Sequence, residues 1–428
     1  MSVLRINGGK PLCGTVQAAG NKNAVLPMIA AALLTDEPVT LRNVPDIGDV
    51  RTMLSIADAM GVTISRDLPA KTLTLTAANI TEAHVPERLC TDIRAGVLFT
   101  APLLYRTGTV RMPPPGGDVI GRRRLDAHFV GLSALGTTCD IDRYLTFSAP
   151  RGFVGNPMFL PEASVTATEH LLLAASVASG QTVIQNSACE PHVQDLCHML
   201  NAMGARIEGI GTNTLTIQGS RKLTGVDHTI SSDFAEAGSF LALAAATGGE
   251  ATVTGIDPTH YCMADYAFER LGVRLDILSD RVHVAADQDR HVKPDPRGGI
   301  PQIDDGPWPQ FPSDLMSVAI VLATQVRGTV LFFEKMYESR MYFVDRLVAM
   351  GANAVICDPH RVVVSGPACL QGIQLNSPDI RAGIALLGGA LCASGTSIVR
   401  NVDLIDRGYE HIEDKLRQLG ADITREHE

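Results

Sequence analysis

Aromatic side chains are scarce here: they make up 5% of the 428 residues, and Trp308 is the sole tryptophan. Positive charge is also in short supply. Lys and Arg number 36 against 46 Asp and Glu, a net charge of −10. That balance leaves no general phosphate-neutralising surface and excludes a generic nucleic-acid binder. The nine cysteines stand singly, at 13, 90, 139, 189, 197, 262, 357, 369 and 392. None forms a CxxC pair, so neither a zinc site nor a dithiol redox centre is signalled. His128, His192, His228 and His260 do not make a ligand spacing either. No secretion leader is expected, and reduced, mostly buried thiols in a cytoplasmic protein are. The longest apolar stretches, such as "AVLPMIAAALL", fall short of the ~20 residues that span a bilayer, so a soluble protein is expected. There is no P-loop and no dinucleotide fingerprint.

What is present is small and aliphatic. Hydrophobic residues reach 45% and charged ones only 19%, with Ala, Leu, Val and Gly abundant. This suits close-packed helices against sheets, and the length is natural for two domains.

One pattern recurs six times: an apolar helix, a short turn, a β-rich run, a second helix ending in glycine, then two more strand-like runs. The second helices end "IADAMG", "GLSALG", "LNAMG", "FERLG", "LVAMG" and "LRQLG", at Gly61, Gly136, Gly204, Gly272, Gly351 and Gly420. Their spacings are 75, 68, 68, 79 and 69 residues, longer than the usual solenoid period. Glycine after each second helix fits a left-handed C-cap. First helices that are apolar almost all round should be buried, and strands of alternating polarity should keep one face wet. Six such units group as three plus three: an α/β protein of two similar domains with a cleft between them.

Against this acidic background, "PPPGGDVIGRRRLDAH" (113–128) is an exception. A proline-stiffened, glycine-hinged loop carries Asp118 and three consecutive arginines, Arg122, Arg123 and Arg124. Adjacent arginines repel one another unless an anion lies nearby, so an anionic small molecule is the expected partner. Gly116, Gly117 and Gly121 would be the hinges of a lid.

Six motifs, "GNKNAVLPMIAAALL", "PPGGDVIGRRRLDAH", "FPSDL", "ESRMYFVDRLVAMGA", "SPDIRAGIALL" and "DRGYEHIEDKLRQLGA", follow one another from about residue 3 to 425. Together they resemble the enolpyruvyl transferase superfamily. The resemblance implies two domains, each of three repeats packed as an inside-out α/β barrel, with the active site in the interdomain cleft. On that basis 22–230 would form the first domain, carrying the loop 113–128, and 1–21 with 231–428 the second. It also implies the substrates, phosphoenolpyruvate and UDP-N-acetylglucosamine, with no cofactor, no metal, no nucleic acid and no membrane partner. The reaction would join the enolpyruvyl group to the sugar 3-hydroxyl and release phosphate, the first committed step of peptidoglycan biosynthesis.

The matched positions supply roles by the same resemblance. Lys22, Arg123 and Arg407 would hold the phosphate, Arg340 and Arg381 the carboxylate, and Arg94 a further basic position, contacts suited to charge-assisted hydrogen bonding. Asn23, Arg124, Leu125, Asp126, Ser164, Val165, Met336 and Asp379 complete the substrate-binding set. Asp314 would be the base at the 3-hydroxyl, although its place before an apolar run also fits an N-cap. Asp118 stands where most members carry a cysteine that attacks epoxides such as fosfomycin. It would serve as the acid that protonates C3 if loop closure dries the site; the alternative is an Asx-turn. Of Arg122 and Arg124, one would face solvent or the nucleotide phosphates.

Two positions depart from the family pattern. Phe234 replaces an arginine and Glu162 replaces a lysine, removing positive charge where a UDP group would bind. Trp308, close in sequence to Asp314, could stack on a base or sugar or simply pack. Other acceptors, a nucleoside monophosphate or a phosphorylated cyclitol, therefore remain open, as does a non-catalytic paralogue that binds UDP-sugar. Retention of both Asp118 and Asp314 speaks against the last, since binding alone needs no acid–base pair.

Overall fold

Five of the six first helices form as single α-helices: Lys22–Ala31, Val165–Ala175, Phe234–Thr247, Ser313–Ala323 and Ile380–Cys392. All are buried over most of their circumference, as their all-round apolar sequences require. The other, expected over "AGVLFTAPLL", is broken. It runs as a 3₁₀ segment, Arg94–Phe99, into a shorter α-helix, Thr100–Thr107. Pro102 falls in the first turn of that α-helix, where its missing N–H costs no intrahelical hydrogen bond.

The second helices stop where their glycines stand. Gly61, Gly136, Gly204, Gly272, Gly351 and Gly420 have φ of 91°, 88°, 110°, 72°, 110° and 89°, a region that a Cβ disfavours. At the first of these, Gly61 N donates to Asp58 O (2.9 Å) and Val62 N to Ala57 O (3.1 Å), which satisfies carbonyls the helix end leaves open.

The computed structural model describes residues 2–427 except 81–83, 118, 119 and 123. Among the described residues there are six sheets, five of four strands and one of three. The chain divides into two compact units, Met1–Ala19 with Val119–Arg122 and Ser232–Glu428, and Gly20–Asp118 with Arg123–Ser231. Each unit has its own hydrophobic core and three of the sheets.

In the first unit the N-terminal strand Ser2–Asn7 lies antiparallel between Thr396–Arg400 and Asp422–His427, so the start of the chain completes the last repeat. The next strand, Cys13–Gln17, pairs in parallel with Glu250–Thr254. The helices Phe234–Thr247, Ser313–Ala323 and Ile380–Cys392 pack on one another inside these sheets. Their approach is close: a Cβ on Gly388 would fall 2.3 Å from Leu243 Cδ2. In the second unit Val226–Thr229 pairs in parallel with Val39–Arg42, joining the last strand of that unit to its first sheet. Helices inside and half-wet sheets outside make each unit an inside-out α/β barrel.

The thiols differ from expectation. Only Cys90 and Cys197 are buried, whereas Cys13, Cys262, Cys357 and Cys369 are exposed. Cys13 and Cys357 occupy outward positions of alternating strands, where side-chain direction overrides the apolar character of the neighbours. No helix among the described residues is long and apolar enough to cross a membrane.

Candidate functional site

In the first unit, Pro312 holds the extended cap of the helix Ser313–Ala323, and Asp314 is that helix's second residue. Its carboxylate therefore caps nothing. Oδ1 accepts from Arg340 at 3.0 Å and Oδ2 from Arg381 at 2.6 Å. Burial alone would raise the Asp314 pKa, but Arg381 and Arg340 outweigh it and hold the carboxyl well below the usual carboxylate range.

Arg381 is fixed on every side. It lies at the start of Ile380–Cys392, where Asp379 caps the helix by accepting from Arg381 N (2.8 Å) and Ala382 N (2.9 Å). Ser317 Oγ donates to its carbonyl (2.8 Å), and its second guanidinium nitrogen donates to Tyr409 Oη (3.1 Å). Tyr409 Oη is 3.0 Å from Ser239 Oγ. Burial lowers the Arg381 pKa, but the neighbouring Asp314 carboxylate raises it more. Arg340 sits on the turn after the strand Gly328–Phe333, its guanidinium 4.8 Å from the Tyr337 ring centroid. Met336 is exposed on the same turn. Arg407 is partly buried on the turn after Val402–Ile405, two residues before Tyr409.

In the second unit, Lys22 opens the helix Lys22–Ala31, which Asn21 caps by accepting from Asn23 N (2.8 Å) and Ala24 N (3.2 Å). The Lys22 ammonium is 3.0 Å from Asp49, a buried acid in the first turn of Gly48–Ala59. Arg94 donates to the carbonyl of Arg124 at 2.7 Å and so pins the loop entering the helix Asp126–Ala134. Arg124 is exposed, 3.6 Å from the Asp126 carboxylate, and Leu125 is the residue before that helix. Ser164 caps Val165–Ala175 by accepting from Ala167 N at 3.4 Å.

Asp118 and Arg123 lie outside the described residues. Around them, Gly116 has no room for a side chain, since a Cβ would fall 1.7 Å from Thr91 O. Gly117 and Gly121 have φ of 104° and 126°. Ile120 O accepts from Ser339 N (3.2 Å), and Arg122 N donates to Glu338 Oε2 (3.0 Å).

Phe234 is buried, its ring centroid 5.7 Å from Trp308 and 6.3 Å from His260. His260 and Trp308 are 6.0 Å apart, so the tryptophan packs in an aromatic cluster with Phe234 and His260. Glu162 is exposed. Tyr409 lies inside the motif "DRGYEHIEDKLRQLGA", which assigns it no role, and Ser239, Ser317 and Asp49 are not among the sequence candidates. An acid in the first turn of an amphipathic helix was the available signal for Asp49; nothing local marks the two serines.

The chain's similarities agree with these motifs. The sequence profile of a family described as EPSP synthase (3-phosphoshikimate 1-carboxyvinyltransferase) matches residues 6–416. UDP-N-acetylglucosamine 1-carboxyvinyltransferase of Treponema denticola is 50% identical over 418 residues, 98% of each chain. The enzyme of the same name from Treponema pallidum is 51% identical over 426 residues, 100% of each chain. Among solved structures, the enolpyruvyl transferase NikO from Streptomyces tendae superposes with a TM-score of 0.87 at 26% identity, covering 99% of this chain and 98% of that one.

Proposed function

Because the chain belongs to the enolpyruvyl transferase family whose profile is described as EPSP synthase (3-phosphoshikimate 1-carboxyvinyltransferase), we propose that it transfers the enolpyruvyl group of phosphoenolpyruvate to the 3-hydroxyl of UDP-N-acetylglucosamine. Phosphate is released, and the product enters peptidoglycan synthesis in the cytoplasm. The observation that carries the acceptor is identity near 50% along the whole chain to relatives named for that reaction.

The chemistry has two stages. The hydroxyl oxygen attacks C2 while a proton is added to C3; the adduct then loses phosphate and a C3 proton to leave the enol ether. Asp314 is the base for the hydroxyl proton, and Asp118 the acid for C3. Lys22, Arg123 and Arg407 bind the phosphate; Arg340 and Arg381 bind the carboxylate. Arg94, Asn23, Arg124, Leu125, Asp126, Ser164, Val165, Met336 and Asp379 bind and orient the substrates.

The ion pairs of Asp314 give this scheme a trigger. A carboxylate held far below its ordinary pKa by two arginines is a poor base. When the carboxylate of phosphoenolpyruvate takes over Arg340 and Arg381, Asp314 loses both partners and its proton affinity rises. Donor binding thus arms the base for the acceptor.

Phosphate release is the test. It should require phosphoenolpyruvate and UDP-N-acetylglucosamine together. Release with UMP or shikimate 3-phosphate in place of the UDP-sugar would reassign the acceptor, and release without any acceptor would overturn transfer.

A further inference from the structure

Behind the Asp314–Arg340 pair lie two acids that the steps above do not use. Asp304 and Phe333 are register partners on the parallel strands Gln302–Asp304 and Gly328–Phe333. The residues that follow them, Asp305 and Glu334, therefore emerge side by side at the same end of the sheet. Both are fully buried. The Glu334 carboxylate accepts from Ser313 Oγ at 2.9 and 2.7 Å and from Tyr337 N at 3.1 Å. Asp305 Oδ1 accepts from Lys335 N, while its Oδ2 is buried with no hydrogen-bond donor among the described residues.

An acceptor of this kind is costly to leave unsatisfied, and two adjoining buried carboxylates cannot both ionise. One proton held between the two carboxyls meets both difficulties. Each of the other bonds ends beside a residue of the ion pair. Ser313 precedes Asp314 on its helix, Tyr337 carries the ring that lies against Arg340, and Lys335 begins the turn on which Arg340 stands.

We propose that Glu334 and Asp305 share one proton and act as positioning residues, fixing the helix start that bears Asp314 to the turn that bears Arg340. The proposal rests on the reading that this ion pair serves enolpyruvyl transfer.

The charged and titratable groups around the pair are few. Lys335 is ion-paired with Asp304. His360 Nδ1 is 2.6 Å from Glu334 O, and its own carbonyl accepts from Glu334 N at 2.8 Å. Arg361 pairs with Asp358 on the neighbouring hairpin. Arg340 is the cation that opposes proton retention. Burial, then Asp305, push the Glu334 carboxyl up to about 8 against that opposition. The folded value lies above the unfolded one, so the proton's contribution is fully present below the ordinary carboxyl range and lost as pH rises through about 8. Its loss places a second negative charge near Arg340, in competition with Asp314.

The experiment compares Glu334→Gln, Glu334→Ala and wild type. The amide keeps an oxygen for Ser313 and Tyr337 and offers Asp305 Oδ2 an N–H that does not titrate. Wild-type kcat/KM for phosphoenolpyruvate should fall on the alkaline side with a midpoint near 8. Glu334→Gln should retain activity and lose that limb, while Glu334→Ala should lose roughly a hundredfold at all pH, as for a reacting group displaced by about 1 Å. pH-difference infrared spectra of the unliganded proteins supply a readout independent of substrate and of the alanine variant's folding. Wild type at pH 7 should show a protonated-carboxyl band that Glu334→Gln lacks. An identical alkaline limb in wild type and Glu334→Gln would overturn the positioning role, and identical carboxyl bands would overturn the shared proton. Wild type inactive with both substrates would instead overturn the functional reading, and the positioning role with it, leaving the proton to the spectra.

Discussion

Asp314→Asn separates the observed role of this carboxylate, neutralising Arg340 and Arg381, from the proposed one, accepting a proton. The asparagine has nearly the same shape but leaves two guanidiniums facing a neutral amide. The side chains of Arg340 and Arg381 are only 13% and 8% exposed, and that of Asp314 is 23%. Breaking a buried ion pair by removing one partner costs about 3–5 kcal/mol. Asp314 retains some solvent, which puts the expected loss near about 3 kcal/mol. For a unit of this size that lowers the melting temperature by roughly 6–12 °C. The folded pKa of Asp314 is depressed, so its contribution is present above the ordinary carboxyl pKa and lost as pH falls below it. The difference between wild type and variant should therefore be flat from pH 5 to 8 and shrink below pH ~4.

Binding and turnover should move in opposite directions. Without a competing carboxylate, Arg340 and Arg381 are available to phosphoenolpyruvate, and its affinity should rise about tenfold, the equivalent of one charged hydrogen bond no longer surrendered. Turnover should fall by roughly 10²–10⁴, the range for loss of a general base. Calorimetric titration with phosphoenolpyruvate and steady-state phosphate release measure the two. Weaker binding of phosphoenolpyruvate to Asp314→Asn, or undiminished turnover, would refute the exchange of partners.

Arg407→Ala should cut turnover by roughly 10²–10³ through loss of preorganised charge on the phosphate, with a stability change no larger than a surface pair's ~1 kcal/mol; unchanged kcat would remove Arg407 from the phosphate clamp. Asp118→Asn should bind both substrates yet lose turnover, whereas Asp118→Cys should recover part of it and become sensitive to fosfomycin through its thiolate. Covalent inactivation of the wild type by the drug would contradict this, since position 118 holds no thiol. In the second unit, His128 and His170 are buried with their Nδ1 atoms 3.0 Å apart. Burial holds both imidazoles neutral, His170 down to about 3. Because the unfolded chain takes up protons first, stability should fall as pH drops below ~6.5, by up to about 1.4 kcal/mol per pH unit for each imidazole. His170→Leu should reduce that slope, and an unchanged slope in acid denaturation would show that the pair is not the cause.

The repeat was legible because it is written locally. A left-handed C-cap needs glycine whatever surrounds it, and all six second-helix glycines have positive φ. Helices that are apolar all round had nowhere to go but inside. Local reading failed at the helix expected over "AGVLFTAPLL", which opens as a 3₁₀ segment, and where a strand's outward side overrode residue type, as at Cys13 and Cys357. The site divided in the same way. Motifs far apart in the chain named Asp314, Arg340 and Arg381, which the fold brings into one cluster. Sequence could not reveal that they bind one another, because pairing is a property of tertiary distance. Glu334, Asp305 and Tyr409 stayed silent for a related reason: their significance lies in burial and in the partner each meets, and neither is periodic.

The most direct measurement is the identity of the product. Incubation with phosphoenolpyruvate and UDP-N-acetylglucosamine, followed by mass spectrometry of the nucleotide-sugar, should show one sugar hydrogen replaced by a carboxyvinyl group. One phosphate should be released for each molecule modified. An unmodified UDP-sugar beside pyruvate and phosphate would contradict enolpyruvyl transfer to this acceptor.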